Sequence, residues 1–153
     1  MKDFHQVINQ AEKRCKENGS RLTLKRRHVL LLLLQAGKAL SAYELIDAYK
    51  AEFGDTLPAM SMYRFLEFLA TEHLVHRLEL ANKYVACKGM NCTSEEMVSQ
   101  FLICRQCRKV HEINISQPAM MEFKKNIKDA GFRMTNMQLE MSGICETCTS
   151  NMT

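Results

Sequence analysis

PAMSMYRFLEFLATEHLVHRLELANKYVA, residues 58 to 86, decides the fold. Its first half repeats apolar side chains at helical spacing. Met62, Phe65, Leu66 and Leu69 stand at i, i+3, i+4 and i+7, so they line one face that must be buried. Ala59, Ser61 and Arg64 lie off that face. Pro58 falls at the first turn, where its missing N–H costs a helix nothing. The second half changes period. Two short strands, His76 to Leu80 and Lys83 to Val85, flank Ala81-Asn82, and asparagine suits the turn between them. Helices followed by a two-stranded wing make the winged helix-turn-helix pattern, whose helix after the turn enters the major groove of DNA.

The residues ahead supply the other helices. Residues 2 to 17 read as a helix stopped by Asn18-Gly19. Thr23 fits the N-cap of a second, which runs to about Gln35 and ends at Gly37. Ser41 caps a third, SAYELIDAYKAEF, with Ala42, Leu45, Ala48 and Tyr49 on one stripe. Its Ser41-to-Glu44 spacing fits a capping box, in which each side chain reaches the other's backbone N–H. Residues 13 to 27, KRCKENGSRLTLKRR, carry seven Lys or Arg against one Glu. Such a cluster suits a polyanion, and taken alone it suits a solvated helix face equally well.

From Cys87 the pattern changes. KGMNCTSEEMVS is polar and without a period, and reads as a connector. FLIC and KVHEINI are strand-like, Gln117 to Ala130 is helical with Gly131 ending it, and FRMTNMQLEMSG alternates as a strand. The chain thus divides into residues 1–86 and 87–153, an α+β protein with a small α/β second half. A second half this small needs a metal, a partner subunit or both to hold its fold.

That half carries two Cys-x-x-Cys pairs, Cys104/Cys107 and Cys145/Cys148. Two residues between cysteines let a tight turn aim both sulfurs at one point, and two such turns supply the ligands of a closed tetrahedral zinc site. An iron centre uses the same ligands. A thiol oxidoreductase is the rival of another class, and it requires accessible, low-pKa thiols without bound metal. Cys15, beside Lys13, Arg14 and Lys16, reads either as an activated thiol or as a packing residue of the first helix.

Composition bounds the rest. With 153 residues, 46% hydrophobic and 25% charged, the chain is globular, one ordinary domain or two small ones. Val29 to Leu34, the longest apolar run, is too short to span a bilayer, and MKDFHQ lacks the apolar core of a signal peptide. Seven cysteines without an export signal point to a reducing cytoplasm, where thiols bind metal or react rather than form bridges. The net charge of +4 is mildly basic. No Gly-rich phosphate loop, nucleophile elbow or paired-carboxylate motif is visible, so the expectation is a protein that is not an enzyme.

RLTLKRRHVL, SAYELIDAY, MYRFLEFL, HLVHRLELANKYVAC and the two Cys-x-x-Cys pairs together resemble the ferric uptake regulator family of bacterial metal-sensing repressors. AEKRC, SAYELID and HLVHRLELANKYVAC look like its zinc uptake regulator branch. The resemblance implies a cytoplasmic homodimer that binds palindromic operator DNA when zinc-loaded and represses zinc-import genes. It implies two zinc ions per subunit: a structural ion on Cys104, Cys107, Cys145 and Cys148, and a sensing ion on His76, Cys87 and Glu112. The branch normally adds a histidine shortly before the first Cys-x-x-Cys. None stands here, and Glu96 takes its place as candidate fourth ligand, with Glu95, Cys92 and Met97 as alternatives. DNA contacts are implied for Tyr43, Tyr63 and Arg64, whose planar fork can grip guanine O6 and N7. Lys25 and Arg26 are the candidate phosphate contacts. Where the family often has glycine after the first pair, this chain has Arg108. A thiolate in the sensing site suits zinc over iron, manganese or nickel. Sensing of another metal or of thiol oxidation, through Cys87 and Cys92, is the alternative on the same scaffold.

Overall fold

The computed structural model describes residues 4–87, 99–134 and 138–151. These fall into two compact units, one within Met1–Cys92 and one within Thr93–Thr153.

The first unit runs α1 (His5–Glu17), α2 (Leu24–Ala36), α3 (Ala42–Phe53), α4 (Ala59–Thr71), β1 (Val75–Leu78) and β2 (Lys83–Ala86). Local chemistry sets the helix ends. Thr23 accepts from the Arg26 N–H at 3.5 Å, a long cap. Ser41 and Glu44 close the capping box, with Ser41 N donating to Glu44 Oε1 at 3.2 Å and Glu44 N donating to Ser41 Oγ at 3.1 Å. Gly37 ends α2 at φ 62 in the left-handed region, where a side chain would be strained. Pro58 is the N-cap of α4, one position ahead of the expected first turn.

Met62, Leu66 and Leu69 of α4 are fully buried, as their spacing requires, against Leu30 and Leu33 of α2, Leu45 of α3 and Cys15 of α1 in one cluster. Each such aliphatic side chain contributes about 1.5–3 kcal/mol by leaving water. Cys15 is a packing residue: burial pushes its thiol up, which overturns the activated-thiol alternative. Buried Glu72, at the end of α4, accepts from Asn18 Nδ2 at 2.9 Å and Ser20 Oγ at 2.8 Å, so it holds the α1–α2 turn.

The wing pairs antiparallel from Val75↔Ala86 to Leu78↔Lys83. It starts one residue earlier than expected and stops at Leu78, because residues 79–82 make the turn, with Asn82 at φ 48. Leu40 forms an isolated bridge to Tyr84, with N–H to O distances of 2.9 and 2.8 Å, and so ties the segment between α2 and α3 to β2.

The second unit runs β3 (Ser99–Cys104), β4 (Val110–Asn114), α5 (Gln117–Asp129), β5 (Gln138–Gly143) and α6 (Glu146–Ser150). The sheet order is β4-β3-β5. β3 pairs antiparallel with β4 and parallel with β5, and the helix α5 lies in the crossover to β5. Among the described residues of this unit, Phe101, Ile103, Cys104 and Met120 are the buried apolar side chains. The expected strand over 132–143 is shorter. Phe132 and Met134 are exposed and outside it, and β5 ends with Gly143 opposite Cys104, matched in length to β3. The short helix α6 was not expected from the sequence. Among the described residues no helix is long and apolar enough to cross a membrane.

Candidate metal centre and nucleic-acid interface

The strand register builds the cysteine site. Parallel pairing of Cys104 with Gly143 brings the ends of β3 and β5 side by side. Beyond β3 the chain turns tightly, with Arg108 N donating to Cys104 O at 3.0 Å and Cys104 N donating to Lys109 O at 2.9 Å. Beyond β5, Cys145 is the N-cap of α6 and Cys148 lies three residues on, over the same side of that helix turn.

All four sulfurs lie within 4.8 Å of one another. Cys107 Sγ and Cys145 Sγ are 3.7 Å apart. Tetrahedral zinc with bonds of about 2.3 Å sets its sulfurs about 3.8 Å apart, so these residues fit the ion. All four are free thiols rather than bridges. Backbone N–H groups of Cys107 and Cys145 point at Cys104 and hold its thiol down to about 6, and Cys145 N lies 3.4 Å from Cys104 Sγ. Hydrogen bonding with Cys145 and its neighbours pushes Cys148 up to about 12. Zinc held by these four residues would supply a cross-link that contributes folding free energy, and it would require all four sulfurs as thiolates.

A model of the ferric uptake regulator family matches residues 17–142. The chain belongs to the ferric uptake regulator family. It is 30% identical to the zinc uptake regulation protein of Escherichia coli strain K12 over 94% of this chain and 81% of that protein. It is 28% identical to the ferric uptake regulation protein of Synechococcus elongatus over 86% and 88% of the two chains. Among solved structures, a zinc uptake regulator complexed with zinc and DNA is 28% identical, covers 99% of this chain and 98% of its own, and gives a TM-score of 0.81. Holo XcZur is 33% identical over 95% of this chain and 98% of its own, at a TM-score of 0.74. These relatives carry the names of regulators, not of enzymes.

The residues that the family resemblance assigns to a sensing ion stand in both units. His76 lies on β1 opposite Val85. Cys87 follows β2, its N–H donating to Leu74 O at 3.0 Å. Cys87 is disulfide-bonded, against the expectation that the thiols bind metal or react rather than form bridges. Glu112 lies on β4 opposite Phe101, and its Oε2 is buried and has no hydrogen-bond partner among the described residues. A buried, unpaired carboxylate oxygen is costly, and a cation would relieve it. Nothing in the sequence signals that orphan. Glu96, Glu95, Cys92 and Met97 lie outside the described residues.

On the first unit, α4 exposes Met60, Tyr63, Arg64 and Glu67, at i, i+3, i+4 and i+7, opposite its buried stripe. Tyr43 of α3 is exposed as well. The two basic candidates on α2 differ. Lys25 is exposed, with Asp55 Oδ2 3.9 Å from its Nζ. Arg26 is committed to the fold: its guanidinium lies 3.7 Å over the Phe68 ring, and its Nη1 donates to Arg21 O at 2.7 Å. Sequence reading could not find that role, because Phe68 is distant in the chain.

Proposed function

We propose that the chain is a zinc-responsive, DNA-binding transcriptional repressor that acts in the cytoplasm on zinc-uptake genes. Residues 1–86 bind DNA, and residues 87–153 dimerise and bind metal. The observation that carries the reading is the convergence of four free cysteines on a winged-helix chain whose relatives include a regulator complexed with zinc and DNA. In this reading Cys104, Cys107, Cys145 and Cys148 hold structural zinc. Once the Cys87 disulfide is reduced to a thiolate, His76, Cys87 and Glu112 hold regulatory zinc, with Glu96 as fourth ligand, for two ions per subunit. Support for the second ion is the orphaned Glu112 oxygen.

Tyr43, Tyr63 and Arg64 meet the operator, and Lys25 and Arg26 the phosphates. A homodimer suits a palindromic operator, since protein and DNA then share a two-fold axis. Support for the dimer is the position of β5 at the sheet edge, with Met141 exposed upon it. Metal activates only by favouring the DNA-binding form over the other.

A second reading, regulation by thiol oxidation on the same scaffold, is favoured by the disulfide at Cys87. One experiment separates the two. Affinity for duplexes selected from a random pool is measured against free zinc, in reduced and in oxidised protein, with metal content recorded. Zinc-dependent affinity in the reduced protein supports the first reading. Affinity that follows oxidation and ignores zinc replaces it with the second.

A further inference from the structure

The outward face of α4 holds more than Tyr63 and Arg64. Met60, in the first turn, is 67% exposed. It adds nothing to the core, which α4 reaches through fully buried Met62, Leu66 and Leu69. An exposed methionine is ordinary by itself. Its company is what matters: Met60 stands one turn before Arg64, with Tyr63 beside it and Glu67 a turn further on, all exposed.

Two members of that face are unsuited to phosphate. A methionine has no donor for it, and the Glu67 carboxylate is repelled by it. A face so composed addresses base edges rather than the backbone. Thymine is the base that offers an apolar group there, its C5-methyl in the major groove. The geometry points to Met60 as a specificity-determining residue that packs on a thymine methyl of the operator. The inference rests on the DNA-binding reading above. Four residues along α4 span about 6 Å, and stacked bases lie about 3.4 Å apart. A helix lying along the groove therefore places this thymine about two base pairs from the base that Arg64 reads.

The full-length, zinc-loaded protein is used to select duplexes from a random pool. Each thymine of the selected sequence is then replaced in turn by deoxyuridine, which removes only the methyl. The parent should lose about fourfold in affinity at one position, the worth of one buried methyl group. Met60→Ala should bind the thymine duplex as weakly as the parent binds the uracil duplex, and should not distinguish them. Met60→Leu should retain the distinction. Thermal melting should be unchanged in both variants, since the side chain is exposed. A parent indifferent to every methyl, or a Met60→Ala protein with the parent's thymine-to-uracil ratio, overturns the inference and leaves DNA binding standing. A parent that selects no sequence overturns DNA recognition, and this inference with it.

Discussion

Glu44 Oε1 lies 3.1 Å from Lys83 Nζ, which joins the start of α3 to the wing. The same oxygen accepts from Ser41 N at 3.2 Å, so one carboxylate closes a capping box and holds β2. The bridge between Leu40 and Tyr84 reinforces this junction, one residue from Ser41 and one from Lys83. The wing is thereby set against the end of α3 that carries exposed Tyr43.

Lys83→Met should therefore loosen the wing modestly. Side-chain exposures of 21% for Lys83 and 45% for Glu44 limit the pair to about 0.5 kcal/mol after solvent screening. Burial pushes the Glu44 carboxyl up, but Lys83 and both polar groups of Ser41 outweigh it and hold it below its ordinary value of 4.5. A depressed folded value means that the stabilisation is complete above 4.5 and fades as pH falls through the folded value beneath it. Urea unfolding of parent and Glu44→Gln between pH 7 and pH 3 should converge at the acid end. A constant difference across that range would show that the capping geometry, not the charge, is responsible.

Cys104→Ser or Cys145→Ser should cost folding of the second unit and dimerisation, rather than zinc response alone. A unit this small has little core to spare, and three ligands hold structural zinc poorly. Metal analysis should show about one zinc fewer per chain, and sedimentation should show monomer or aggregate. A stable dimer of full zinc content would rule out the four-cysteine site.

Lys25, Arg26 and Arg64 should behave as three different kinds of residue. Lys25→Ala should weaken binding to all duplexes and reduce the salt slope by about 1. Arg64→Ala should lose roughly 1–3 kcal/mol on selected sequences and relax base preference. Arg26→Ala should in addition melt at lower temperature, because it strips a guanidinium from the Phe68 ring. Identical melting of Arg26→Ala and parent, with lowered DNA affinity, would return Arg26 to a purely phosphate role.

Helical periodicity and caps carried most of this fold into the sequence. Met62, Leu66 and Leu69 announced the buried face of α4, and Ser41 with Glu44 announced the start of α3. Both are interactions within a few residues, where spacing and geometry are nearly the same thing. Cys-x-x-Cys is legible for the same reason. Long-range partners decide what was missed: β5 ends where β3 ends, Leu40 pairs because Tyr84 passes it, and Arg26 turns inward because Phe68 lies beneath. The orphaned Glu112 oxygen is of that kind too, since burial of one atom has no sequence signature.

Glu112→Gln should leave the fold and the four-cysteine site intact and shift the zinc midpoint for DNA binding to higher free zinc. The substitution replaces one carboxylate oxygen with an NH2 group and removes the formal negative charge, so the side chain attracts a cation more weakly. His76→Ala and Cys87→Ser should also blunt the zinc response. If all three variants kept the parent's zinc midpoint, the sensor would have to lie elsewhere.

Arg108, the residue after the first Cys-x-x-Cys pair, sits at φ 64 in the left-handed region. A left-handed backbone crowds Cβ against the following carbonyl, at a cost of roughly 1–2 kcal/mol that glycine escapes. Glycine gives back part of that gain by adding freedom to the unfolded chain, roughly 0.5–1 kcal/mol. Arg108→Gly should thus stabilise the turn that joins Cys107 to β4 by about 0.5–1 kcal/mol net. Because that turn fixes where Cys107 points, zinc should also leave the variant more slowly under chelator than it leaves the parent. Arg108→Ala keeps the Cβ, so it should gain nothing. Equal gains in the alanine and glycine variants would mean that the arginine charge beside the metal site, and not the backbone, was the source of the strain.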